Sequence, residues 1–281
     1  GSKEMPLTEW WGALIMVCVR PLQLGPVLVP CGRCLACRIA RSREWAERCL
    51  HELDSWKESS FVTLTYDDSH LPVSGCLVKA HLQGFIKRLR EDLRKDGRSI
   101  RYFGCGEYGE KYGRPHYHAI LFGIGCDDLP RLLDAWPSGR VHQGSVTRYS
   151  CQYVAGYVLD KYSGKADPLA DKHSVRPFQI QSQGIGRDWL DKNAEQVLYD
   201  VGIRRNGKVE GMPRYYRKRL GERLSQDDID QRAKRRIVET ALTYEMHGLK
   251  DKRSVAEHER KCRAQKEEEL KSKQALKRKK L

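Results

Sequence analysis

Long apolar runs are scarce in this chain. In 281 residues the longest apolar patch near the N-terminus, Ala13 to Val19, falls far short of the roughly 20 residues that span a bilayer. A membrane partner is therefore not expected. No secretory segment is legible, so the 10 cysteines are not read as a disulfide framework; reduced thiols in a cytosol are expected. Acidic residues are in deficit. Asp and Glu number 37 against 52 Lys and Arg, a formal net charge of +15. A surplus that large points to a polyanionic partner, with nucleic acid the first candidate. No internal repeat is evident, which argues against a solenoid or propeller. A nucleotide-hydrolysing part is missing as well. Gly202 and Gly207-Lys208 mimic a phosphate-binding loop, but Val209 stands where that loop needs Ser or Thr for Mg2+. Asn206-Gly207 reads instead as a tight hairpin turn.

What is present reads as strands and helices in alternation. Pro21, Pro26 and Pro30 keep residues 10–37 in strands and turns. Trp45, Cys49, Leu50, Leu53 and Trp56 recur at helical spacing, which predicts a helix from about Ile39 to Trp56. Phe61 to Tyr66 alternates apolar and hydroxyl side chains, as a strand does. Leu82, Phe85, Ile86, Leu89 and Leu93 give an amphipathic helix over Lys79 to Lys95 with a basic outer face. Ile100 to Glu107 and His116 to Phe122 form a hairpin with a longish Gly-rich loop. A helix over Leu129 to Trp136, a strand over 141–147 and a helix over Ser150 to Lys161 follow. Ser163 to Arg176 is read as a loop, 184–200 as containing a helix, and Ile203 to Val209 as a hairpin. The order β-α-β-β-α-β-α is an α+β arrangement, a central antiparallel sheet with its helices segregated to one side. Three parts are expected: an N-terminal Cys-rich segment and helix (1–60), a core (61–224), and a basic tail (225–281), helical or disordered.

Pro115-His116-Tyr117-His118 carries the first chemical signal. In a strand, residues i and i+2 share a face, so two imidazoles point the same way about 7 Å apart along the chain. Such a pair is also compatible with a half-buried core. Arg114-Pro115 closes a loop, however, so the pair sits near a strand end. The facing strand carries Glu107 amid apolar neighbours, and the hairpin returns it alongside His116. Two imidazoles and a carboxylate are a three-ligand set with open positions, suited to a catalytic divalent ion. Glu110 competes for the third place from the loop. Imidazole ligands favour Mn2+, availability favours Mg2+.

Tyr149, Tyr153 and Tyr157 are spaced by four, and Lys161 continues the stripe. An aromatic core face is the plain alternative. Against it, Val154 and Val158 already offer an apolar face, and phenols bury poorly without a partner. A phenol beside a metal-bound phosphodiester is a nucleophile, and its covalent ester conserves the bond energy for rejoining. Cys18, Cys31, Cys34 and Cys37 form a third cluster, compatible with a structural Zn2+, with an iron–sulfur cluster or with ordinary buried thiols.

Phe61-Val-Thr-Leu-Thr-Tyr66, His116-Tyr-His118 and Tyr153-Val-Ala-Gly-Tyr157 with Lys161 resemble, in order, the three motifs of HUH endonucleases, the rolling-circle replication initiators. The resemblance is closest to initiators of gokushovirus-type microviruses. It extends to the Cys31-Gly-Arg-Cys34-Leu-Ala-Cys37-Arg run, Gly184-Ile-Gly186 and Met212-Pro-Arg-Tyr-Tyr216, and spans residues 18–222. It implies the His pair on a middle strand of an antiparallel sheet and the tyrosines on an adjacent helix. It implies nicking of single-stranded origin DNA through a 5′-phosphotyrosine in the host bacterial cytoplasm, with host helicase and polymerase as partners. By position, His116 and His118 become metal ligands with Glu107 the less certain third, and Tyr153 and Tyr157 nucleophiles. Lys161 stands beside them as a catalytic and DNA-binding residue, Arg114 as a DNA contact, and Tyr149 is not expected to act. Two other readings stay open: a zinc-containing DNA-binding protein with a structural His pair, and an HUH transposase or relaxase.

Overall fold

The computed structural model describes residues 18–24, 27–109, 112–161, 175–200, 202–205, 207–222 and 251–279, with isolated positions between 227 and 249. The expected loop at Ser163 to Arg176 falls almost wholly outside the described residues. Packing divides into two units, Arg41–Arg217 and Gly1–Ala40 with Lys218–Leu281.

In the first unit a five-stranded sheet has the order β6-β3-β5-β4-β7, every pair antiparallel. Its strands are β3 (Ser59–Tyr66), β4 (Arg101–Tyr108), β5 (Pro115–Phe122), β6 (Gly139–Ser145) and β7 (Phe178–Gln181), following β1 (Leu22–Leu24) and β2 (Val27–Val29) of the other unit. The strict alternation of β3 is realised: Val62, Leu64 and Tyr66 are buried on one face, Phe61, Thr63 and Thr65 half-buried on the other. The helices are α1 (Leu35–Leu53), α2 (Lys79–Arg94), α3 (Leu129–Ala135), α4 (Arg148–Lys161), α5 (Arg187–Asp200) and α6 (Arg214–Gly221). The expected α+β arrangement around a central antiparallel sheet is thus present.

The expectation that the helices gather on one side is wrong. Leu82, Phe85, Ile86, Leu89 and Leu93 of α2, with Leu132 and Ala135 of α3, pack on the face made by Val62, Leu64, Tyr117, Ala119 and Leu121. Ala46 and Cys49 of α1, with Cys151, Val154 and Ala155 of α4, cover the opposite face at Phe103, Cys105, Ile120 and Phe122. The reason is in β4 and β5 themselves. Both alternating sets of these central strands are buried, and a strand buried on both faces needs cover on both. Each large apolar side chain so buried stabilises the fold by roughly 1.5–3 kcal/mol before entropy is counted.

β7 was not foreseen; Phe-Gln-Ile-Gln is too short to register as a strand, yet it pairs with Phe103 to Gly106 of β4 and closes the sheet edge. Helix α1 starts and ends earlier than its periodicity predicts, and Trp56 joins the apolar cluster from beyond the helix end. The expected hairpin is present: β8 (Ile203–Arg205) pairs with β9 (Lys208–Glu210), with Gly207 at φ 75° in the turn.

Helix α1 also carries a buried polar seam. Glu47, Arg48, His51 and Glu52 are all buried. Glu52 accepts a 2.6 Å bond from the Gly186 amide, Arg48 donates to the Ile185 carbonyl at 2.9 Å, and His51 Nδ1 lies 2.9 Å from the Tyr216 hydroxyl. The Gly184-Ile-Gly186 and Tyr215-Tyr216 motifs therefore meet on this helix and brace the metal-facing side of the sheet.

In the second unit, β1 and β2 form a hairpin and a 28-residue helix, α7 (Lys252–Lys279), occupies the tail. The described part of the tail is thus helical. Asp251 caps α7 by accepting from the Arg253 and Ser254 amides at 2.8 and 2.9 Å. Pairs such as Glu257–Lys261 and Glu259–Arg263 line its surface. No helix among the described residues is long and apolar enough to cross a membrane.

Candidate active site

The register of the central hairpin sets Glu107 directly opposite His116 and Cys105 opposite His118. All three candidate ligands project from the face covered by α1 and α4. His116 Nε2 lies 2.7 Å and His118 Nε2 3.0 Å from the same oxygen, Glu107 Oε1. One ligand atom from each of the three lies within 4.8 Å of the others. The expected set is therefore assembled; Glu110 lies outside the described residues.

The far sides of both imidazoles are held. His116 Nδ1 lies 3.2 Å from the Arg114 carbonyl, and His118 Nδ1 lies 2.9 Å from Thr63 Oγ1. A carbonyl can only accept, so His116 carries its proton on Nδ1 in that pairing and turns the Nε2 lone pair inward. Thr63 offers His118 the same arrangement. Sequence reasoning missed Thr63. The signal was available in the alternating hydroxyls of Phe61 to Tyr66, once the β3–β5 register placed Thr63 opposite His118.

Glu107 is 1% exposed, and its Oε2 has no hydrogen-bond partner among the described residues. Burial alone would raise its pKa, but hydrogen bonds with His116 and His118 outweigh that and hold the carboxyl below the usual range. An ionised carboxylate with one oxygen unsatisfied inside the protein is costly unless a cation completes it. Two inward imidazole nitrogens and that oxygen fit a divalent ion.

Tyr153, on α4, places its ring edge-on against His118, with centroids 5.4 Å apart. It is half-buried, whereas Tyr149, one turn earlier, is 75% exposed and has its ring 6.4 Å from that of Tyr153. Tyr157 and Lys161 lie on the same helix at the expected spacing, but their side chains lie outside the described residues. Arg114 donates to Asp68 at 2.7 Å and to the Tyr66 carbonyl at 2.8 Å, tying the hairpin loop to the end of β3. The register of the edge strand sets Arg140 beside Thr65 and His142 beside Thr63, on the ligand face, and both are exposed.

In the other unit, the Sγ atoms of Cys18, Cys31, Cys34 and Cys37 all lie within 4.8 Å of one another.

Comparison with known proteins bears on this arrangement. Residues 59–162, from the start of β3 through α4, match the family model described as replication-associated protein ORF2. The chain is 34% identical over 215 residues to replication-associated protein VP4 of Bdellovibrio phage phiMH2K, covering 69% of this chain and 68% of that protein. It is 33% identical over 226 residues to replication-associated protein ORF2 of Spiroplasma virus 4, covering 72% and 70%. It is 32% identical over 220 residues to replication-associated protein ORF4 of Chlamydia phage 1, covering 71% and 55%. No solved structure matches. The stretch matched by the family model holds every described ligand of the His–His–Glu set and Tyr153, and the chain belongs to the microvirus-type replication-associated proteins.

Proposed function

We propose that this protein is a metal-dependent endonuclease that nicks and rejoins single-stranded origin DNA to initiate rolling-circle replication. One observation carries the reading: Glu107, His116 and His118 converge on one point of the sheet face while the Tyr153 ring rests against His118. The relatives' names, which place those proteins in phage replication, favour the same role.

Glu107, His116 and His118 would hold Mg2+ or Mn2+. Bound there, the ion polarises a phosphate oxygen and offsets the charge that develops during transfer. The residues of the chain do the rest. Arg140 and His142 on the edge strand, with the basic α7, hold the DNA backbone by its phosphates. The Tyr153 phenol attacks phosphorus; the tyrosyl O–P bond forms, the bond to the 3′ oxygen breaks, and that oxygen leaves as a 3′-hydroxyl. The 5′ end stays on the tyrosine. Tyr157, one helical turn along, is the second nucleophile, so one phenol holds an end while the other cuts again. Lys161 continues the stripe beside the scissile phosphate. The free 3′-hydroxyl then serves a host polymerase, and a host helicase in the bacterial cytoplasm opens the duplex ahead.

Incubating the protein with labelled single strands of its phage origin and Mn2+ tests the reading. A covalent protein–DNA adduct that excess chelator abolishes is expected, with DNA affinity largely kept. Binding without any adduct would favour a DNA-binding protein whose His pair is structural.

A further inference from the structure

The geometry points to a second metal site: Cys18, Cys31, Cys34 and Cys37 bind one Zn2+ as a closed tetrathiolate. Sulfurs at the corners of a tetrahedron with Zn–S bonds of about 2.3 Å lie about 3.8 Å apart. Cys18 Sγ lies 3.5 Å from Cys31 Sγ and 3.8 Å from Cys34 Sγ. All four are free thiols, none paired as a disulfide.

The backbone supplies an independent argument. The Arg33 and Cys34 amides both point at Cys31 Sγ, at 3.4 and 3.3 Å, and Gly32 between them has φ 70°. The Cys31 amide points at Cys18 Sγ at 3.3 Å and the Cys37 amide at Cys34 Sγ at 3.5 Å. Thiols are weak acceptors, and neutral ones give little reason to gather four amide donors. Thiolates sharing a divalent cation do, because each amide offsets part of the negative charge left on sulfur.

The local fold explains the spacing. Gly32 lets the chain reverse between Cys31 and Cys34, and Cys37 lies in the first turn of α1, one turn from Cys34. Cys18 returns from before the β1–β2 hairpin. Four protein ligands leave no open position, so this site is structural rather than catalytic. Its work is to pin residues 18–37, a segment short of apolar anchors, into one conformation. The assignment does not rest on the nuclease reading.

The test uses the full-length protein purified without chelators. One equivalent of zinc by elemental analysis is expected. Replacement by Co2+ should give the intense visible bands of a tetrahedral site with thiolate charge transfer in the near ultraviolet. Cys34→Ser should lose that equivalent, while His118→Ala should keep it. Trypsin should cut after Arg33 in zinc-stripped protein and leave that bond intact in the loaded form. Zinc well below one equivalent, a cobalt spectrum without charge transfer, or one equivalent of iron in place of zinc would each overturn the assignment.

Discussion

The Tyr153 ring meets the His118 ring edge-on, their planes crossing at 84° with centroids 5.4 Å apart. Phe61 lies nearly parallel to His118 at 5.5 Å and edge-on to Tyr153 at 6.4 Å. Rings from β3, β5 and α4 thus fix one another, so the candidate nucleophile and candidate ligand are positioned by packing. A site built this way has its geometry before any substrate arrives.

Thr63 should matter for metal binding without touching metal. Thr63→Val keeps the strand-forming shape and removes the hydroxyl beside His118 Nδ1. Losing such an outer partner lowers metal affinity by about 10- to 100-fold. Titration with Mn2+, followed calorimetrically, should show that loss with DNA affinity unchanged. Unaltered Mn2+ affinity would mean that Thr63 does not orient the imidazole.

Gly186 and Gly207 form a matched pair for stability. Both have positive φ, and alanine at either incurs about 1–2 kcal/mol of left-handed strain. At Gly207 nothing described lies within 4 Å of the added carbon. At Gly186 it would strike the Tyr216 hydroxyl and come within 3.0 Å of the Arg48 carbonyl. Gly186→Ala should therefore lower the melting temperature clearly more than Gly207→Ala in thermal denaturation. Equal shifts would show that the seam on α1 yields easily.

Tyr149 is exposed beside Tyr153 and suits stacking of an unpaired base. Tyr149→Phe should bind single-stranded DNA normally. Tyr149→Ala should weaken binding by about 1–3 kcal/mol, the range measured for such stacking. Fluorescence anisotropy with a short origin strand would read both, and equal affinities for the two variants would remove Tyr149 from the DNA path.

The tail should act through charge. Arg253 and Arg260 are exposed on α7. Changing both to Gln keeps the helix and removes two cations. Each phosphate that thereby goes without its cation should flatten the log–log salt dependence by about 0.7 for a single strand. An unchanged slope would place the DNA elsewhere.

Much of this was legible in the residues. The five buried positions of α2 are those its periodicity picks out, because a surface helix against one sheet face has a single apolar stripe. Glu107 opposite His116 followed from hairpin register alone. The two-faced cover of the sheet was not legible, since Phe103 to Tyr108 reads as a short mixed run whether one or both faces are buried. Nor was the buried seam on α1. Glu47, Arg48, His51 and Glu52 look like a solvated helix face until Gly186 and Tyr216 arrive from over 130 residues away.

The central claim is that Tyr153 and Tyr157 are alternate nucleophiles beside the His–His–Glu set. The most direct test maps the adduct by mass spectrometry in wild type, in each single Tyr→Phe variant and in the double variant. Phenylalanine keeps the ring against His118 and removes only the attacking oxygen. Each single variant should form an adduct on its remaining tyrosine and fail to complete joining cycles, and the double variant should form none. An active double variant with its adduct on Tyr149 or Tyr162 would contradict the account.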